Sequence, residues 1–100
     1  MKYFISQPMN GLSDEDILEV RNKIIDNISA IDEDAVILDS IVADEAPLES
    51  SQALWYLSQS IAILSQADTI YLARGWENSR GCKIEYECAE KYGIIIIEEV

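Results

Sequence analysis

The sequence predicts a single α/β domain over residues 1–100, a flavodoxin-like three-layer α/β/α sandwich around a small parallel sheet of order 2-1-3-4. Three observations predict it. Helix-period apolar stripes alternate with short apolar runs in the order β-α-β-α-β-α-β. The short runs are continuous rather than alternating, as in strands buried on both faces of a parallel sheet. A chain of 100 residues has room for one core and little for a second. Right-handed crossovers then leave few topologies, of which 2-1-3-4 is the simplest.

Each element has a local signal. Lys2 to Ser6 is an apolar run that meets the breakers Gln7-Pro8-Met9-Asn10-Gly11, a strand followed by a loop. Ser13 is an N-cap residue, with acids at Asp14, Glu15 and Asp16 in the first turn and Asp16 also placed as a capping-box partner. Ile17, Val20, Ile24, Ile28 and Ile31 then predict one buried helix face. Ala35 to Leu38 reads as a buried strand ended by Asp39-Ser40. The acidic stretch 41–50 contains Pro47 and has no periodicity; it is either a lid or a solvated connection. Ser50 or Ser51 caps a second helix with Leu54, Leu57, Ile61 and Leu64 on one face, and Thr69 to Ala73 is the third strand. Asp68, just before it, reads as a turn or cap residue. Arg74 to Gly81 forms a loop into a third helix, about Cys82 to Tyr92, with Ile84, Cys88 and Tyr92 inward. Gly93 ends that helix, and Ile94 to Ile97 is the last strand.

Composition narrows the function. Hydrophobic residues at 49% against 26% charged describe a folded chain rather than a disordered one. No apolar run approaches the ~20 residues of a membrane span, and the first residues lack a signal peptide's cleavage site, so a cytoplasmic protein is expected. Nineteen acids against seven basic residues give a net charge of −12, a field that repels nucleic acid polymers and anionic membranes. The absence of histidine removes Ser-His-Asp and Cys-His mechanisms. Cys82 and Cys88 stand about 240° apart on one helix and form no CxxC pair, so reduced thiols are expected, with no disulfide and no metal site. No glycine-rich phosphate loop or dinucleotide fingerprint is present. Any chemistry must rest on carboxylates, tyrosines or backbone dipoles.

Topology locates the site before any family does. In a 2-1-3-4 sheet, ligands bind beyond the carboxyl ends of strands one and three. The loops there are Gln7 to Leu12 and Arg74 to Gly81. Gly75 and Gly81 allow close approach of backbone to a ligand. Ser79 can cap the third helix or meet a ligand hydroxyl, and Arg80 lies beside that helix's free N–H groups. Glu85, four residues after Gly81, shares its face; it is either a working carboxylate or a solvated helix acid. Trp76 either stacks on a planar ligand or covers the sheet edge. Tyr3 is either core or reaches the site with its hydroxyl. Ser6, Gln7 and Asn10 suit a neutral polar ligand. Trp55 and Tyr56, beside an apolar stripe, predict a subunit interface and a homo-oligomer.

Three stretches carry a resemblance: Tyr3-Phe4-Ile5-Ser6-Gln7-Pro8-Met9-Asn10-Gly11, Leu64-Ser65-Gln66-Ala67-Asp68, and Gly75-Trp76-Glu77-Asn78-Ser79-Arg80-Gly81-Cys82-Lys83-Ile84-Glu85. Together they resemble the nucleoside 2-deoxyribosyltransferase-like superfamily, in its branch of small uncharacterised bacterial and phage domains. The resemblance implies a nucleoside or nucleotide as ligand and no cofactor. It implies Glu85 as the nucleophile that attacks the anomeric carbon, with Tyr3 positioning it. Ser6, Gln7, Pro8, Met9, Gly75, Trp76, Ser79, Arg80 and Gly81 would bind the substrate. The implied activity is N-glycoside hydrolysis or 2-deoxyribosyl transfer; the alternative is a binder or sensor that does not turn its ligand over. The chain departs from the transferases at Ser79 and at Ser60 or Gln59, where they carry aspartates that recognise sugar hydroxyls and protonate the leaving base.

Overall fold

The protein is described from a computed structural model over residues 1–41 and 45–99. The elements run β1 (Lys2–Ser6), α1 (Asp14–Ile31), β2 (Val36–Ile37), α2 (Gln52–Leu64), β3 (Thr69–Leu72), a 3-10 turn (Trp76–Asn78), α3 (Arg80–Lys91) and β4 (Ile95–Glu98). The sheet is parallel throughout, in the expected order β2-β1-β3-β4. Tyr3 lies opposite Thr69 and Ser6 opposite Leu72, so β1 and β3 form the paired centre.

Strand alternation sorts the core into two layers. Tyr3, Ile5 and Tyr71 face Ile24 and Ile28 of α1. Phe4, Ile70 and Leu72 face Leu64 of α2 and Ala89 of α3. Asp68 is a clamp between strands: its Oδ2 accepts from the Lys2 N–H at 2.8 Å, and its backbone bonds Lys2 and Ile95.

The helices differ from expectation in which residues they bury. Ser13 caps α1 as expected, accepting from the Asp16 N–H at 3.1 Å. The buried face of α1, however, is Arg21, Ile24 and Ile28, with Ile17 half-buried and Val20 and Ile31 exposed. Arg21 takes the inward position because its guanidinium has work at the sheet: Nη1 donates to Ser40 Oγ and Nη2 to the Leu38 carbonyl, both at 3.0 Å. Its apolar stem covers the layer beneath. Burial holds the Arg21 pKa below its usual value, opposed by nearby Asp39.

In α2 only Leu64 is buried, and Leu54 is exposed rather than inward. Ser51 stands at its N-cap without a side-chain cap bond, while Ser50 Oγ closes the preceding turn on the Pro47 carbonyl. The strand at 35–38 shortens to Val36–Ile37, an edge strand with Val36 exposed and Ile37 half-buried against the core. Residues 42–44 of the acidic stretch lie outside the described residues.

α3 starts earlier than expected, at Arg80, and buries Cys82, Glu85 and Ala89. Tyr92 is 84% exposed, not inward. The helix has ended there: Gly93 at φ +75° turns the chain, and the Ile94 N–H returns to the Ala89 carbonyl at 3.0 Å. This is a Schellman closure, and it swings Tyr92 to the outside. The last strand is shifted by one residue, to Ile95–Glu98, and as an edge strand it leaves Ile95 exposed.

Candidate functional site

Two clefts of similar size lie between the sheet and the α2–α3 layer. One, of about 980 Å³, opens at the amino ends of the strands and is lined mostly by apolar side chains such as Leu64, Ile61 and Ile94. Its carboxylate, Asp68, is already committed to Lys2. The other, of about 970 Å³, opens at the carboxyl ends of β1 and β3 and contains Glu85. Chemistry and topology both select the second.

Glu85 sits where it does because the stripe Cys82, Glu85, Ala89 of α3 faces the sheet. Its carboxyl is almost fully buried, and Oε1 accepts from Ser6 Oγ at 2.7 Å. Ser6 is the last residue of β1 and shares a sheet face with Phe4. Burial pushes the Glu85 pKa up to about 7, while the Ser6 hydrogen bond works in the other direction. Beside it, burial and the Glu85 charge raise the Cys82 thiol, against hydrogen bonds from Ser6 and Ser79.

The rest of the cleft comes from three elements. The loop after β1 places Gln7, Pro8 and Met9 on its wall. Gln7 is buried and donates from Nε2 to the Ile17 carbonyl at 3.0 Å, which leaves Oε1 without a partner among the described residues. The segment after β3 contributes Gly75, Asn78, Ser79, Arg80 and Gly81. Gly75 adopts φ +88°, in the left-handed region, to reverse the chain out of β3. Ser79 caps α3, accepting from the Cys82 N–H at 3.3 Å.

The third wall is α2, with Ala53, Tyr56, Leu57 and Ser60. Ala53, Leu57 and Ser40 join the site without having been expected there, and Tyr56, expected at a subunit interface, lines the cleft. The signal was present: residues 53, 56, 57 and 60 share a helix face, in the half of α2 that starts at the carboxyl end of the sheet.

Two expected site residues stand elsewhere. Tyr3 does not meet Glu85: it points to the α1 layer, and its hydroxyl donates to Asp32 Oδ2 at 3.1 Å. Strand parity decides this, since Tyr3 and Ser6 project to opposite faces. Trp76 does not line the cleft either. Its ring lies against Tyr86, with centroids 4.8 Å apart, and Nε1 donates to Glu98 Oε1 at 3.0 Å, so it covers the sheet on the β4 side.

A family described as a domain of unknown function, DUF4406, matches residues 1–98. The chain belongs to the DUF4406 family. No curated protein and no solved structure matches it. In this DUF4406 chain both cysteines are free, Cys82 buried and Cys88 half-buried. Among the described residues no group of three or more Cys, Asp or Glu side chains gathers closely enough to hold a metal ion. Among the same residues, no helix is long and apolar enough to cross a membrane.

Proposed function

We propose that the chain is a divergent member of the nucleoside 2-deoxyribosyltransferase-like superfamily, acting on a nucleoside or nucleotide through Glu85. The observation that carries this reading is a buried carboxylate at the carboxyl ends of β1 and β3, held by Ser6 in a cleft of about 970 Å³. Glu85 attacks the anomeric carbon, the glycosidic C–N bond breaks, and the base leaves with the bonding pair and takes a proton. An acceptor base or water then attacks the same carbon and frees Glu85. Only the ionised carboxylate can attack, so the rate rises with pH through about 7.

A second reading, binding without turnover, has its own support. Glu85 is the one carboxylate that lines the cleft among the described residues. Retaining glycosidases ordinarily use two, the second as general acid for the leaving group. Ser60 and Ser79 line the cleft, and the resemblance puts the transferases' two aspartates at Ser79 and at Ser60 or Gln59. With no second acid, the leaving base draws its proton from solvent, which restricts turnover to good leaving groups.

The test is a panel of 2′-deoxynucleosides and their 5′-monophosphates, with and without an acceptor base, followed by chromatography and thermal shift. Base release that disappears in Glu85→Gln establishes the enzyme. A rise in melting temperature without release establishes the binder. Neither release nor shift with any ligand contradicts both readings.

A further inference from the structure

On the reading of Glu85 as nucleophile, we infer that Ser6 is its positioning residue, holding Oε1 and leaving Oε2 as the oxygen that attacks. The Ser6 hydroxyl donates to Glu85 Oε1 at 2.7 Å, in a buried hydrogen bond. Glu85 Oε2 has no hydrogen-bond partner among the described residues. The buried side-chain oxygens left unpartnered there are Gln7 Oε1 and Thr69 Oγ1, so Oε2 is open to the cleft that Glu85 lines. Ser6 itself is 1% exposed and does not line the cleft, so the residue expected to bind substrate does not touch it. Its work is on the carboxylate. The support is firm because Ser6 ends β1 opposite Leu72 and its carbonyl accepts from the Ala73 N–H at 2.9 Å. The hydroxyl oxygen is thus one torsion away from the two central strands of the sheet. The positioning that the resemblance gave to Tyr3 passes to Ser6, since the Tyr3 hydroxyl is spent on Asp32 across the sheet.

The two oxygens then have separate tasks. A lone pair of Oε2 forms the bond to the anomeric carbon as the C–N pair leaves with the base, which takes its proton from solvent. Oε1 becomes the carbonyl oxygen of the glycosyl ester and keeps the hydrogen bond from Ser6. Water attacks the same carbon and releases its proton to solvent, and the C–O bonding pair returns to Oε2. The carboxylate charge reappears over both oxygens, where the Ser6 donor meets it in a charge-assisted bond. A carboxylate turns easily about its last torsion, and a turned carboxylate aims neither oxygen at the carbon. The Ser6 bond fixes that torsion, so its value lies in orientation as well as in charge.

The test is steady-state release of base from a 2′-deoxynucleoside, followed from below the Glu85 pKa of about 7 to the plateau above it. On that plateau the carboxylate is ionised in every variant, so orientation alone separates them. Ser6→Ala, with a wild-type circular dichroism spectrum, should lower plateau kcat about ten- to hundredfold. KM should stay unchanged, because Ser6 does not meet the substrate. Ser6→Thr restores the donor and should recover the rate. A Ser6→Ala profile that moves in pH but reaches the wild-type plateau overturns the inference, since Ser6 then tunes the carboxyl without aiming it. A rise in KM at unchanged kcat overturns it as well, by putting Ser6 on the substrate. So does a folded Ser6→Thr protein that stays at the alanine rate. No release by the wild type, or release that survives Glu85→Gln, removes the reading of Glu85 and this inference with it.

Discussion

At the scale of the residue, Glu85 dominates because it is a carboxyl placed where carboxyls are costly. Its pKa rises from 4.5 to about 7, mainly through burial, against a single hydrogen bond from Ser6. Folding therefore favours the protonated form. Below pH 4.5 the group is protonated folded or unfolded, and its contribution is fully present. As pH rises the unfolded chain ionises first, and stability is lost until the folded carboxyl also ionises, through about 7. The shift corresponds to about 3 kcal/mol. Urea unfolding should thus show Glu85→Gln gaining on the wild type as pH rises from 4.5, by about 3 kcal/mol once the pH is well above 7. A gap that does not change with pH would mean that the carboxyl is solvated. Ser6→Ala, which removes the one donor, should move the window to higher pH.

At the scale of the element, the segment between β3 and α3 holds the cleft through two glycines in opposite circumstances. Gly75 sits at φ +88°, where an alanine is strained even though its Cβ would meet only Pro8 Cγ, at 3.8 Å. Gly81 lies in α3, where an added Cβ meets nothing within 4 Å. Gly75→Ala should therefore cost about 1 kcal/mol or more. Gly81→Ala should be neutral or stabilising, by up to about 1 kcal/mol. Thermal denaturation of the two variants reads the signs, and equal losses would contradict the backbone assignment. The same segment is tied at its outer end by Trp76 to Glu98 and by the Arg74 N–H to Glu99, so the end of β4 sets its position.

At the scale of the whole molecule, the layered plan and strand order were legible because they follow from periodicity and handedness, which are written along the chain. Glu85, Gln7, Pro8, Met9, Gly75, Ser79, Arg80 and Gly81 were legible as a group because topology alone brings their two loops together. The parts that were not legible depend on side-chain direction and tertiary partners. Tyr3, which the residues alone left as core or site and the resemblance placed beside Glu85, projects to the opposite face from Ser6, and its hydroxyl meets Asp32. Trp76 in a glycine-flanked loop carries no sign of whether it faces a ligand or Tyr86. Arg21 breaks an otherwise apolar stripe, and only the meeting of α1 with Ser40 and Leu38 explains its burial. On the α2 wall only Ser60 carried a mark, through the resemblance, while Ala53 and Leu57 are apolar residues of the kind that any packed helix shows.

On the proposed reading, Glu85 is the working group of the cleft between the β1 and β3 loops. The pH dependence of base release from a 2′-deoxynucleoside, measured for the wild type and Glu85→Gln, tests it most directly. The expected result is release that climbs with pH to a plateau above about 7 and is abolished in Glu85→Gln. Release that survives in Glu85→Gln with the same profile would contradict the claim.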